Sequence, residues 1–209
     1  MKLLTLYNNL LEEYGKQQWW RQESQLSCAP CSKSRTSGPA DSPYEVVVGA
    51  ILTQNTNWKN VEKAITNLKK ASRISPEKIL KIPDSKLETL IRPSGFYRQK
   101  AERLKLATKK WLTINSKLEI LELREEWLSV KGIGKETADT ILLYAMNKPI
   151  FVIDAYTRRF CKINLNKEFK EYDDYRIFFE KNLPKDLDLY KEYHALIVQW
   201  GKTKHPKDL

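Results

Sequence analysis

The chain has 209 residues and carries 37 lysines and arginines against 26 aspartates and glutamates, a formal net charge of +11. This excess favours a polyanionic partner such as nucleic acid, although solvated, lysine-rich helix faces produce the same balance. No stretch approaches the roughly 20 apolar residues that cross a bilayer. Residues 1–14 mix polar with apolar side chains, unlike a signal peptide. The sequence therefore predicts an intracellular protein that does not enter a membrane.

The three cysteines do not indicate a disulfide framework, because Cys28 and Cys31 form a close pair and Cys161 is distant. The pair resembles half of a zinc site or a redox motif, but no second pair and no βαβ pattern accompany it. It lies in segment 21–41, which is rich in Ser, Gln, Pro and Gly. We predict a flexible insertion there, with an ordered loop as the alternative.

Helical periodicity dominates the rest of the chain. Apolar residues recur at spacings of three and four in residues 46–54, 58–70, 99–112 and 136–146. Strand-like alternation is nearly absent. Ser-Pro pairs at Ser42 and Ser75 are typical helix starts. The sequence therefore predicts an all-α fold.

Between two helical patterns lies a turn in which Gly132 and Gly134 enclose Ile133. Glycines so placed permit a tight turn with positive φ and leave backbone N–H groups bare. At the start of the next helix these groups would bind a phosphate, with Lys131 and Lys135 adding charge, while Ile133 anchors the turn in the core. A Gly-x-Gly alone is more typical of an ordinary helix–helix turn.

One acid, Asp154, follows the apolar segment 150–153 and precedes another helical pattern. A carboxylate in this position either caps the helix or takes part in catalysis. With the hairpin, a helix and this aspartate in that order, the sequence resembles the endonuclease III-like DNA glycosylases of the helix-hairpin-helix (HhH-GPD) superfamily. The resemblance extends to segments 49–56, 92–101 and 193–202.

The resemblance covers about residues 43–202 and implies two helical lobes with a cleft between them. A six-helix barrel lobe, residues 43–149, would contain the hairpin. A second lobe would combine residues 1–42 with residues 150–209. The hairpin and Asp154 would then face each other across DNA.

Asp154 matches the catalytic aspartate of the family, which would stabilise positive charge on the deoxyribose and orient the attacking water. Gln54 matches the wedge residue that enters the vacated base stack, and Phe96 the residue that inserts from the opposite strand. A helix cap is the alternative for Gln54, and core packing for Phe96. Bifunctional relatives carry a nucleophilic lysine where this chain has Glu136, so the resemblance implies a monofunctional enzyme.

Aromatic side chains would form the pocket for the flipped base. Trp58 and the pair Trp19 and Trp20 match pocket aromatics of 3-methyladenine glycosylases, and Lys202 matches a basic residue beside that pocket. Core packing is the alternative for each tryptophan. The family's carbamylated-lysine position is Leu196 here. Phosphate contacts are predicted for Lys100, Arg103, Lys131, Lys135, Arg158 and Arg159.

The cysteine-bound iron–sulfur cluster of many relatives is not expected, because residues 203–209 contain no cysteine. The resemblance is therefore nearest to the cluster-free 3-methyladenine DNA glycosylase III branch. It implies no cofactor, apart from room for a structural monovalent cation at the hairpin. The implied partner is double-stranded DNA containing a damaged base, bound by a monomer in the cytoplasm at the nucleoid.

The expected function is hydrolytic release of an alkylated purine such as 3-methyladenine during base excision repair. The first alternative is a glycosylase for uracil or thymine mismatches, for oxidised pyrimidines, or for adenine opposite a damaged guanine, with or without abasic-site (AP) lyase activity. The second is a non-catalytic DNA-binding module that uses only the hairpin. Asp154 argues against the module, since a phosphate-binding surface has no need of that acid.

Overall fold

The computed structural model describes residues 2–19, 42–72 and 74–204. These residues are predominantly helical, and no β-strand occurs among them, which confirms the predicted all-α class. Segment 21–41, with Cys28 and Cys31, lies outside the described residues, and so does Trp20.

Eleven α-helices are found in the described residues. In chain order they are α1 (Lys2–Tyr14), α2 (Pro43–Thr53), α3 (Trp58–Ala71), α4 (Pro76–Lys81), α5 (Asp84–Ile91), α6 (Tyr97–Thr113), α7 (Ile120–Leu128), α8 (Lys135–Thr140), α9 (Ala155–Phe160), α10 (Tyr172–Asn182) and α11 (Leu187–Lys204). A 3₁₀ turn at Arg92–Ser94 precedes α6. π-helical turns extend α8 over Ile141–Ala145 and α9 over Cys161–Leu165.

The two predicted Ser-Pro helix starts are confirmed. The Ser42 hydroxyl accepts a hydrogen bond from the Glu45 amide at 3.2 Å, and the Ser75 hydroxyl accepts one from the Lys78 amide at 3.4 Å. In both cases proline is the first helical residue, where its missing N–H costs nothing. The π-helical turns were not predicted, since the apolar pattern runs through them without a break.

The described residues fall into two compact units. One is the central part of the chain, which ends at Met146. The other combines the N-terminal helix with the chain from Asn147 onward.

In the central unit, α2 forms the core. Val46, Val47, Val48, Ile51 and Leu52 are all buried, and α2 packs against α3, α6 and the π-helical turn after α8. A helix that is apolar on every face is expected at such a position.

An ion pair joins the two helices of the hairpin inside this unit. Arg124 on α7 donates from Nε to Asp139 Oδ1 at 2.6 Å and from Nη2 to Asp139 Oδ2 at 3.2 Å. Asp139 has no solvent exposure. Two parallel hydrogen bonds between a guanidinium and a carboxylate fix the relative orientation of the helices that carry them.

The other unit is built around aromatic rings. Phe151 stacks on Phe179 with ring centroids 4.1 Å apart, and Tyr193 meets both rings edge-on. The Tyr193 hydroxyl donates to the Leu3 carbonyl at 2.9 Å, which ties α11 to α1. Helix α11 also packs against α9, and this contact positions the residues described next.

None of the helices in residues 2–19, 42–72 and 74–204 combines the length and apolarity that crossing a bilayer requires.

Candidate active site

Asp154 caps a helix with one carboxylate oxygen, and its second oxygen takes no part in the cap. It follows the buried run from Ile150 to Ile153 and forms the N-cap of α9. Its Oδ1 accepts from the Thr157 amide at 2.7 Å and from the Thr157 hydroxyl at 2.9 Å. The two roles considered from the sequence are therefore compatible, because capping engages only one carboxylate oxygen.

The second oxygen of Asp154 lies beside a histidine that the sequence did not point to. Oδ2 is 3.5 Å from Nε2 of His194 on α11, and the Asp154 side chain is 15% exposed. Burial by itself raises the pKa of Asp154, but the contact with His194 and the hydrogen bonds from Thr157 outweigh it, so the pKa lies below its ordinary value. The site thus holds an ionised carboxylate with limited access to water.

Two of the predicted pocket residues meet at the same place. The Trp19 ring packs edge-to-face on His194, with centroids 5.7 Å apart, and the Lys202 ammonium lies 5.9 Å from the Trp19 centroid. Burial lowers the pKa of Lys202, and the negative charge of Asp154 opposes that shift. Trp19, Lys202, His194 and Asp154 therefore form one cluster.

Trp58, the remaining described pocket candidate, belongs to the central unit, where it is the first residue of α3. Its indole is half-buried. Across the described ranges 2–19, 42–72 and 74–204, no three His, Cys, Asp or Glu side chains come together as metal ligands would.

The hairpin turn differs from the sequence expectation at one of its two glycines. Gly132 has φ of +84° as expected, but Gly134 has φ of −93° and is the N-cap of α8. Ile133 is buried and anchors the turn, as predicted. Lys131 and Lys135 are exposed on either side. The backbone conformation thus requires glycine only at position 132. A Cβ at position 134 would point into open space.

Replacing Gly132 by alanine is expected to destabilise the protein by about 1–3 kcal/mol, because the new side chain would occupy a left-handed backbone. Its Cβ would also stand 2.3 Å from Arg103 Nε. Gly134→Ala is the matched control: it meets nothing within 4 Å and should change stability by less than about 1 kcal/mol. Urea denaturation of both variants measures the difference, and equal losses would contradict this account of the turn.

Gln54 connects the end of α2 to the hairpin. Its Nε2 donates to the Gly132 carbonyl and to the Thr137 hydroxyl, both at 3.0 Å, and its Oε1 accepts from Arg103 Nη1 at 2.8 Å. Gln54 is also the C-cap residue of α2, but its backbone N–H makes that contact, by donating to the Ile51 carbonyl. To enter a DNA stack it would have to exchange these three hydrogen bonds for new ones.

Phe96 is 63% exposed and adopts a left-handed backbone conformation at the start of α6. The alternative of core packing is therefore wrong for this residue. A large exposed aromatic ring held on a tight turn is what an inserting residue requires.

The predicted phosphate contact at Lys100 is wrong. Lys100 is 1% exposed, and its ammonium donates to the carbonyls of Leu52 at 2.8 Å and Ser94 at 2.6 Å. Burial lowers its pKa to about 8. These two hydrogen bonds link the C-terminal end of α2, next to Gln54, to the turn that precedes Phe96. Sequence reasoning missed this because a lysine on an amphipathic helix is normally solvated.

The remaining predicted phosphate contacts have different surroundings. Lys131 pairs with Glu102 at 2.8 Å on the surface. The Arg158 guanidinium lies 4.8 Å from the Tyr175 ring centroid. Arg103 and Arg159 are half-buried. Of the six predicted phosphate contacts, only Lys131 and Lys135 are exposed, and both lie beside the hairpin turn.

Comparison with known proteins identifies the class of this chain. Residues 48–185 match the model of the HhH-GPD superfamily of base excision DNA repair proteins. A Methanocaldococcus jannaschii protein with a provisional name as a DNA repair glycosylase is 49% identical over 207 residues, which span 94% of this chain and 86% of that protein. Endonuclease III of Thermotoga maritima is 30% identical over 160 residues, 77% of this chain and 73% of that protein.

A solved structure supports the same assignment. The crystal structure of the H. pylori 3-methyladenine DNA glycosylase bound to 1,N6-ethenoadenine has a TM-score of 0.71 and 33% sequence identity, covering 97% of this chain and 94% of that chain. Fold and match together define an all-α base excision DNA repair protein. The chain belongs to the HhH-GPD superfamily, and by class it is a DNA glycosylase. The resemblance inferred from the sequence is confirmed.

Proposed function

We propose that this protein is a monofunctional DNA glycosylase that hydrolyses the N-glycosidic bond of an alkylated purine such as 3-methyladenine. The observation that carries the proposal is Asp154, a nearly buried carboxylate with one oxygen outside the helix cap. As the base leaves, the deoxyribose acquires positive charge, and a fixed carboxylate stabilises that charge and orients water.

The choice of base rests on the surroundings of that carboxylate and on the comparison. Trp19 offers an aromatic ring next to the Asp154–His194 contact, and a flipped base stacks on such a ring. The similar H. pylori enzyme is named for 3-methyladenine. The relative from T. maritima is named endonuclease III rather than for 3-methyladenine, so a glycosylase for another damaged base is the second candidate.

Partner and chemistry follow from the hairpin. Gly134 leaves open space at the start of α8, and Lys131 and Lys135 lie exposed beside it, which suits a DNA phosphate. Glu136 occupies the position of the nucleophilic lysine of bifunctional relatives, and a carboxylate cannot form an imine. We therefore expect a protein that acts as a monomer on double-stranded DNA without AP lyase activity.

We also propose that activity needs no iron–sulfur cluster. The sequence has three cysteines, Cys28, Cys31 and Cys161, whereas such a cluster is held by four cysteine thiolates. Cys161 is buried, and burial raises the pKa of its thiol to about 12, which disfavours the thiolate that a cluster needs.

Single-lesion duplexes test the function and the absence of lyase chemistry together. Duplexes containing an alkylated purine, uracil, a thymine mismatch or an oxidised pyrimidine are incubated with the protein and scored for strand scission before and after alkali. The alkylated-purine duplex should be cut only after alkali, and borohydride should trap no covalent adduct. Scission without alkali, or a trapped adduct, would contradict the monofunctional assignment.

A further inference from the structure

In the candidate active site, His194 contacts both Asp154 and Trp19. One edge of its ring faces Asp154 Oδ2 at 3.5 Å, and the ring stands perpendicular to Trp19, at an interplanar angle of 89°. The side chain is buried on α11, whose packing against α9 sets the distance to Asp154. A histidine that served only as core packing would have no reason to direct a ring nitrogen at a carboxylate.

The two oxygens of Asp154 therefore have separate partners. Thr157 engages Oδ1 with two donors, whereas Oδ2 faces only the longer contact with His194 among the interactions described above. At 3.5 Å this contact is longer than an ideal hydrogen bond, and burial of both side chains limits its screening by water. Oδ2 can thus be oriented by His194 and still turn toward a reacting sugar.

We propose that His194 is a positioning residue. It orients Oδ2 of Asp154 and holds the carboxylate in a fixed relation to Trp19. This inference rests on the proposed function. Among the described residues, the titratable groups with an electrostatic interaction with Asp154 are Tyr156 on α9 and His194 and Lys202 on α11. Of these, His194 has the shortest observed approach to Oδ2.

Glutamine and phenylalanine at position 194 separate the role of the ring nitrogen from that of the ring. Glutamine places its amide nitrogen near the position of Nε2, whereas phenylalanine keeps the volume and the edge contact with Trp19 but lacks a donor. Without that donor, only the hydrogen bonds from Thr157 oppose the effect of burial, so the carboxyl pKa should rise. In the pH profile of the single-turnover rate, the acidic limb should move to higher pH by as much as the carboxyl pKa rises. KM should change little.

The carboxyl pKa is measured directly by ¹³C NMR on the free protein, with the Asp154 signal assigned from Asp154→Asn. His194→Phe is expected to raise this pKa and to shift the acid limb of the rate, and His194→Gln should restore both toward wild type. An unchanged carboxyl pKa and an unchanged pH profile in His194→Phe would overturn the inference. His194→Asn, which is too short to reach Oδ2, replaces the phenylalanine variant if the latter does not fold.

The same experiment separates this inference from the proposed function. A raised carboxyl pKa in His194→Phe, in a protein whose wild type releases no base from any damaged duplex, would support the contact and refute the function. Base release with the same pH profile in the wild type and in His194→Phe would support the function and overturn the positioning role.

Discussion

Asp154→Asn is expected to lower the single-turnover rate of base release by at least about 10²-fold, the scale on which a single electrostatic stabiliser of a transition state acts. Asparagine keeps an oxygen that can accept from the Thr157 amide and hydroxyl, so the cap of α9 should survive. The variant loses the negative charge, and an NH2 group replaces the oxygen that faces His194. Rate, urea denaturation and DNA binding are measured on the same preparation.

Asp186→Asn is the matched control for this variant. Asp186 also caps a helix, since its Oδ1 accepts from the Leu189 amide at 2.7 Å at the start of α11. It has the same side chain and the same kind of hydrogen bond, but it does not belong to the candidate site. Equal rates in the two variants would show that Asp154 is merely structural and would contradict the mechanism.

The second large effect is expected on stability, at the Arg124–Asp139 ion pair that joins α7 to α8. Asp139→Asn is expected to lower the free energy of unfolding by about 3–5 kcal/mol, because it leaves the Arg124 guanidinium without its compensating charge in the interior. Arg124 and Asp139 side chains are 6% and 0% exposed. Chemical denaturation monitored by circular dichroism measures the loss.

A surface pair in the same unit supplies the comparison. Lys131 and Glu102 are 2.8 Å apart, but their side chains are 76% and 53% exposed. Glu102→Gln should therefore change stability by no more than about 1 kcal/mol. Replacing both Arg124 and Asp139 by leucine should recover much of the loss, since neither charge is then left alone. Similar losses for the buried and the exposed pair would contradict this interpretation.

The sequence predicted the parts of the molecule that depend on local patterns. Helical periodicity and Ser-Pro starts identified α2 and α4, and the Gly-Ile-Gly turn identified the hairpin with Ile133 buried. The acid after an apolar run drew attention to Asp154, and the resemblance to the family implied its catalytic role. Each of these signals lies within a few residues of the feature that it predicts.

Such local patterns could not predict contacts between segments that are far apart in the sequence. His194 lies next to Asp154 only because α11 packs against α9, and nothing in the local pattern of α11 distinguishes it from a core residue. Lys100 has the sequence surroundings of a solvated lysine, yet its ammonium binds two carbonyls inside the central unit. The π-helical turn that follows α8 changes hydrogen bonding without changing the apolar pattern.

Identifying the free base released from methylated duplex DNA tests the central claim most directly. Wild type and Asp154→Asn are incubated with the DNA, and the low-molecular-weight products are separated by chromatography and identified by mass. We expect 3-methyladenine from the wild type and at least about 10²-fold less from Asp154→Asn. Binding of this DNA by the wild type without release of any alkylated purine would contradict that claim.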